Sequence, residues 1–338
     1  TITALLEGAS TAQDAILRAR SLEQLGRLPD ALEALGPWRH VLENDQIDNP
    51  AELVAATHAM LLLAQLEGQS AMIYKLAMRL FAKARTELDR LYWPALVAEA
   101  RLLMEKDNAS EAAGALLAAL SFNPRASEAW YLLGQLATES FQFDRAARIV
   151  RKLRVIHPSH LLADLLESQM YLTQRDADSS RAVVESALRR YPKQRMLIAL
   201  WAATEAIAYE QNVLAAALQR FDDLAPHSSL ALFTVGKYLS SARQYRDSEV
   251  MFNAAIQRQP NWPPPRIELG LMLMQTGEEE KALNQLQHAV QLDSFNRQAN
   301  NQLKLVRELV GYEQIRTERF LIKYRKGMDE VLARDMVH

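Results

Sequence analysis

The stretch that decides the fold runs from one proline to another: PRASEAWYLLGQLATESFQFDRAARIVRKLRVIHP, residues 124–158. Pro124 and Pro158 stand 34 residues apart, and the same step leads on to Pro192, Pro226 and Pro260. One further step reaches Ser294, and one step back reaches Arg90. Proline ends a helix and sits well in the loop before the next one. Five prolines on one ladder therefore mark a stop that recurs between repeated units, and a fixed period of this size is the signature of a stacked array.

With the ladder proline as position 32 of each unit, two other columns stand out. Position 8 is small in all six units: Ala100, Gly134, Ser168, Ala202, Gly236 and Gly270. Position 20 holds Ala112, Ala146, Ser180, Leu214, Ser248 and Ala282, with one exception to smallness. Position 24 is always apolar: Leu116, Val150, Val184, Leu218, Phe252 and Leu286. Such columns suit two antiparallel helices in close contact, the small residues letting the backbones approach and the apolar one filling the seam.

The whole composition agrees. At 338 residues the chain is long for one compact core, whereas an array grows unit by unit. Apolar residues make up 49% and charged residues 24%, so burial is ample and disorder is not expected. Eleven glycines are few for a protein built on tight turns and phosphate loops. Net charge is −2, which demands neither nucleic acid nor an anionic membrane as partner. Cysteine is absent, so disulfides, thiolate metal sites and a cysteine nucleophile are excluded, and the compartment stays open. No apolar run approaches the roughly 18 residues of a membrane span. A chain that begins at Thr1 reads as a mature or excised fragment.

On these residues the sequence resembles the tetratricopeptide repeat family. The unit from Pro263 to Ser294 carries the resemblance best, with Leu269-Gly270, Gly277 in the turn, and Ala282 and Ala289. Ser127 to Pro158 adds Trp130, Leu133-Gly134 and Ala146. Departures are Glu99 and Glu167 where a large apolar residue is usual, and Asp164 and Arg266 in place of the first aromatic. The resemblance implies an all-α, right-handed superhelical solenoid of antiparallel helix pairs over residues 1–310. Its units lie near 12–45, 50–90, 91–124, 125–158, 159–192, 193–226, 227–260 and 261–294, with a cap helix at 297–310. The pair from about Pro50 to Arg90 exceeds the period, so its helices are expected to be longer.

Residues 311–338 break the pattern. Glu318 to Tyr324 alternates and ends in β-favouring residues, which predicts a strand. Gly327-Met328-Asp329 predicts a turn, and acidic Asp329 and Glu330 predict the start of a helix. Thr317 to Tyr324 with Asp329 to Leu332 is similar to the segment opening the gluzincin-type peptidase domain that follows bacterial tetratricopeptide arrays. The tail is thus read either as the start of a further domain or as a piece packed on the last repeat.

Catalytic chemistry finds no support. A zinc peptidase needs two histidines one helical turn apart with a glutamate between them, and no HExxH occurs. His157 and His160 are the nearest pair, with no further ligand evident. There is no G-x-S-x-G turn and no glycine-rich phosphate loop. No cofactor is expected. Arg145, Arg148, Arg151, Lys152 and Arg154 form a basic stripe on a second helix. Second helices face outward in this family and aromatic interleaving is missing, so a solvated face is favoured over an acidic protein, and nucleic acid is not expected.

The resemblance places a partner-binding groove on the first helices, at positions 2, 5, 9, 12 and 13. Tyr131 and Gln135, with Thr138 and Glu139, come from one unit; Leu165 and Gln169, with Thr173, from the next. Met196 and Ala203, with Ala199 and Ala206, follow, then Phe233 and Lys237, with Ser241. Ile267, Leu271 and Met274, with Pro264, complete the row. Some members clamp a C-terminal carboxylate with Lys and Asn at positions 5 and 9. Here those pairs are Val97/Arg101, Tyr131/Gln135, Leu165/Gln169, Ala199/Ala203, Phe233/Lys237 and Ile267/Leu271, so that clamp is absent. A groove this apolar suits an amphipathic helix or hydrophobic peptide, or else the chain's own segments packing inside. The expected function is a protein-interaction scaffold, with self-association open. The alternative is the substrate-presenting arm of a larger zinc peptidase whose catalytic part lies beyond His338. Glutamate at Phe233 and Leu165 is expected to abolish partner capture without loss of helix.

Overall fold

A computed structural model describes residues 11–40 and 47–336, and within them the chain is all-helical apart from one small hairpin near the C-terminus. Seventeen helices follow one another as antiparallel pairs and a final single helix. The first pair is α1 (Ala12–Gln24) and α2 (Leu28–Leu35), followed by a 3-10 turn at Gly36–His40. Next come α3 (Pro50–Leu66) and α4 (Ser70–Lys83), the latter extended by a π-helical turn at Ala84–Leu88. Six further pairs are α5 (Pro94–Glu105) with α6 (Ala109–Phe122), α7 (Ser127–Glu139) with α8 (Phe143–Ile156), and α9 (Leu161–Gln174) with α10 (Ala177–Arg190). Then follow α11 (Arg195–Ile207) with α12 (Gln211–Asp222), α13 (Leu230–Ser241) with α14 (Tyr245–Arg258), and α15 (Pro263–Thr276) with α16 (Glu279–Leu292). The single helix α17 (Arg297–Val310) closes the array.

Local chemistry starts and stops these helices. Asn49 caps α3 by accepting from the amides of Ala51 and Glu52, with Pro50 at the first position, where a missing N–H costs nothing. Asp176 and Asn296 cap α10 and α17 in the same way. The ladder prolines all fall in the short turns between pairs. Inside each of the last six pairs the helix reverses through one left-handed residue, Asp107, Phe141, Arg175, Tyr209, Arg243 and Gly277, all at positive φ, while the first two pairs reverse through Gly26 and Gly68. The six of the last pairs recur at the repeat period, yet one alone is glycine.

The small columns act as their size requires. A Cβ on Gly270 would lie 2.7 Å from Leu286 Cγ, and one on Gly236 would lie 2.8 Å from the Phe252 ring. Where serine replaces alanine it bonds locally: Ser248 Oγ donates to the Gly236 carbonyl at 2.8 Å. Ser168, Ser180 and Thr204 form a buried hydroxyl chain at 3.0 and 2.8 Å. Three of the four departures from the repeat pattern are ion-paired. Glu99 meets Arg85, Glu167 meets Arg154, and buried Asp164 meets Arg190 at 3.0 Å. α3, at 17 residues, is the longest helix among the described residues, which accounts for the lengthened second pair.

The superhelix closes on itself. The Gln24 carbonyl accepts from the His227 amide at 3.1 Å. The Leu66 carbonyl accepts from Asn261 Nδ2 at 2.9 Å, and the Glu105 carbonyl from Asn296 Nδ2 at 3.0 Å. The turns inside the first three pairs thus dock in order on the loops before α13, α15 and α17. Gly26 is required at this seam, since a Cβ there would lie 2.5 Å from His227 Nε2.

The tail folds as a hairpin and a helix. β1 (Glu313–Arg316) pairs antiparallel with β2 (Leu321–Tyr324), Arg316 facing Leu321, and α18 (Met328–Asp335) follows. The strand is shorter than Glu318 to Tyr324, because the Thr317 hydroxyl accepts from the Phe320 amide and turns residues 317–320 into the hairpin's end. The polar first strand was not evident from the sequence. Lys323 with Glu279, and Arg325 with Glu308, tie the hairpin to the last helices. His338 lies outside the described residues.

Candidate functional site

Closure turns the concave side into a series of chambers. One of them, of about 580 Å³, is lined by first-helix residues and by turns brought in across the seam. Gln135, Gln169, Phe233, Lys237 and Ile267, all expected on the groove, line it together, as do Thr138, Glu139, Thr173, Ser241 and Pro264. Tyr131 lies beside them: its hydroxyl accepts from Gln135 Nε2 at 3.1 Å and donates to Gln169 Oε1 at 3.3 Å. Burial pushes the Tyr131 and Tyr238 hydroxyls up to about 12, so both stay neutral donors.

The apolar middle of the expected groove is not a surface. Leu165 and Ala203 belong to the core, with Ala199 and Ala206 beside them, and Met196 is packed against the same cluster. The reason is side-chain size: α11 carries alanine at 199, 203 and 206, so α9 and α13 close over it and touch each other. Leu271 and Met274 are likewise half-buried, packed on the clusters under α15 and α17. Glutamate at Leu165 would therefore break the core, and only Phe233 serves as a groove substitution. Of the basic stripe, Arg145, Arg148, Arg151 and Lys152 are exposed on α8, while Arg154 is taken up by Glu167.

The cavity's electrostatics come from residues that the first-helix rule omits. Glu105 and Asp107 flank the turn after α5, Glu268 projects from α15, and Glu139 ends α7. Glu139 pairs with Lys237 at 3.4 Å. Burial lowers the affinity of Lys237 for its proton, but the charges of Glu139 and Glu268 outweigh that and hold it protonated. Burial raises the pKa of Glu105, Asp107 and Glu268, and at Asp107 the nearby Glu139 adds to it. Among the described residues no group of three or more His, Asp or Glu converges closely enough to hold a metal ion. Aromatic walls come from Phe141, Tyr238 and the pair Phe233–Trp262, edge to face at 4.9 Å. Phe141 and Trp262 sit in a turn and a loop, outside the first-helix positions. A 270 Å³ chamber shares Glu105, Trp262, Pro264, Ile267 and Asn296 with the first, and a smaller one beside His58 shares Glu105.

Residues 97–159 match the family model of the tetratricopeptide repeat. No curated protein matches the chain in sequence. Among solved structures, a tetratricopeptide repeat protein from Parabacteroides merdae ATCC 43184 is similar, with a TM-score of 0.50 at 16% identity, over 78% of this chain and 100% of that one. Yeast Tom70 aligns at 13% identity with a TM-score of 0.47. The APC/C hetero-tetramer Cut9-Hcn1 aligns at 12% identity with the same score. The chain spans 65% of the length of each of these last two chains, and 89% of it is covered. No described helix is long and apolar enough to cross a membrane. The matched segment is set among helix pairs of the same period, and the chain as a whole has the all-α fold of a solenoid of tetratricopeptide-like helix pairs.

Proposed function

We propose that the chain is a protein-interaction scaffold that holds a segment of a partner polypeptide in its concave chambers. The observation that carries this reading is the 580 Å³ cavity, where Gln135, Gln169 and Phe233 meet residues from across the seam. Its volume is that of a specific ligand site, and its wall mixes apolar area with a few polar groups able to fix orientation. The amide side chains of Gln135 and Gln169 suit an extended backbone, whose N–H and C=O groups need partners once water is excluded.

A photo-crosslinking residue tests the site directly. Placed at Gln169, inside the cavity, it is expected to trap a partner polypeptide in the native host. Placed at Arg148, on the outer face of α8, it is expected to trap none. Crosslinks from Arg148 alone would move the binding surface to the convex side.

A second reading is favoured by the tail. Phe320, Met328, Val331 and Leu332 are exposed there, Met328 to 89%, which leaves an apolar face with no partner among the described residues. On this reading the solenoid presents a protein substrate to a zinc peptidase domain following residue 338. An HExxH in the downstream reading frame would support it, and a stop codon directly after His338 would remove it.

A further inference from the structure

The carboxylates of the cavity exceed its cations. Glu105, Asp107, Glu139 and Glu268 line it, against Lys237 alone, and Lys237 is taken by Glu139. The neighbouring cations are engaged elsewhere: Lys106 pairs with Asp293, Arg101 with Glu128, and Arg297 bonds Asn108. Glu268 is partly buried at the cavity wall with the charge of Lys237 nearby, and no hydrogen bond or ion pair engages it. Four carboxylates against one lysine leave the cavity wall with an excess of negative charge, which makes it an open acceptor for an incoming cation. Because the acids do not converge on a metal-sized point, the cation they fit is larger than a metal ion. The walls fit the rest of such a ligand: Phe233, Trp262 and Ile267 offer apolar surface for a methylene stem, and the ring faces add attraction for the charged head.

Resting on the scaffold reading above, we propose that the cavity anchors a lysine or arginine side chain of the partner polypeptide, its stem against Phe233 and Trp262 and its charged head among Glu105, Asp107 and Glu268. Glu105 stands at the junction of the three chambers, so the anchor sits midway along the bound segment, with flanking residues in the 270 Å³ chamber and beside His58. The anchor is selective for cations, since an acidic side chain would meet four carboxylates.

Panning a random-peptide library against the whole chain tests this. The expected result is a lysine or arginine at one aligned position of the captured peptides. Replacing that residue by norleucine is expected to weaken binding tenfold or more, as is Glu268→Gln or Glu105→Gln, about what truncating one partner of a buried charge pair costs. Both variants change a cavity-facing carboxylate to its isostere, and circular dichroism verifies the fold. Captured peptides without a basic preference, or unchanged affinity in both variants, overturn the anchor while the scaffold reading stands. Failure to capture any peptide counts against both.

Discussion

Lys106 Nζ and Asp293 Oδ2 form a buried ion pair at 2.6 Å across 187 residues of chain. Lys106 follows α5 and Asp293 follows α16, so the pair bolts the third helix pair to the eighth. Tyr74 and Phe295 stack beside it with centroids 4.7 Å apart, and the Arg297 amide donates to the Lys106 carbonyl at 2.9 Å. A linear stack of repeats makes contacts only between neighbours. This one also makes contacts between its ends, and the concave chambers exist because of them.

Lys106→Met leaves Asp293 buried without a counter-charge, which costs about 3–5 kcal/mol if the seam stays shut. The seam can part instead, so the expected outcome is faster amide hydrogen exchange at His227 and Arg297, with helix content unchanged. The double variant Lys106→Met with Asp293→Leu restores slow exchange, since apolar residues of similar volume replace the pair. Equal exchange in all three proteins would show that the pair does not hold the seam.

Ala203→Leu tests why the middle of the groove is closed. Ala203 is fully buried where α9 and α13 meet over α11. Added methylenes there push the flanking helices apart, and a loss of about 1–3 kcal/mol is expected from overpacking. Chemical denaturation measures it. No loss would mean that α9 and α13 have room to spare.

Tyr209→Gly is expected to stabilise. Tyr209 adopts φ 61 in the turn between α11 and α12 and is exposed. A left-handed conformation costs a non-glycine residue about 1–2 kcal/mol, and glycine's larger unfolded-state entropy offsets part of the relief. A net gain of roughly 0.5–1 kcal/mol in thermal unfolding follows. A loss would mean that the side chain makes contacts worth more than the strain.

Acid should weaken the fold through His58. Burial, then the charges of Arg101 and Arg20, lower its pKa from 6.5 to about 4. The folded state therefore binds the proton less well than the unfolded chain. The contribution is fully present above about pH 6.5 and is lost as the pH falls towards 4, reaching at most about 3 kcal/mol. His58→Gln is expected to flatten the stability profile across that window. Identical slopes for both proteins would contradict the assignment.

Much of the fold was legible because its determinants are local. Pro124 to Pro260 fix the breaks, and Gly236 against Phe252 or Gly270 against Leu286 fix the spacing of helices within a pair. Glu99 and Glu167 look like faults in the pattern until Arg85 and Arg154 are found opposite them. The site was legible only in part. Gln135, Gln169, Phe233, Lys237 and Ile267 face the cavity because position within a helix decides which way a side chain points. Glu105, Asp107, Phe141 and Trp262 join them through the pitch of the superhelix, which sums small rotations over many units and has no single residue as its signal. Leu165 and Ala203 failed for the same reason: inner-face position does not show that α9 and α13 meet.

Closure of the superhelix is the claim on which the cavity and its ligand rest. The natural absence of cysteine makes it directly measurable. Spin labels at Gln69→Cys, in the turn after α3, and Pro260→Cys, in the loop before α15, report across the seam where Asn261 reaches the Leu66 carbonyl. Double electron–electron resonance should give one short, narrow distance distribution, shifted to longer distances by Lys106→Met. A long or broad distribution in the unaltered background would mean that the solenoid is open in solution and the cavity does not form.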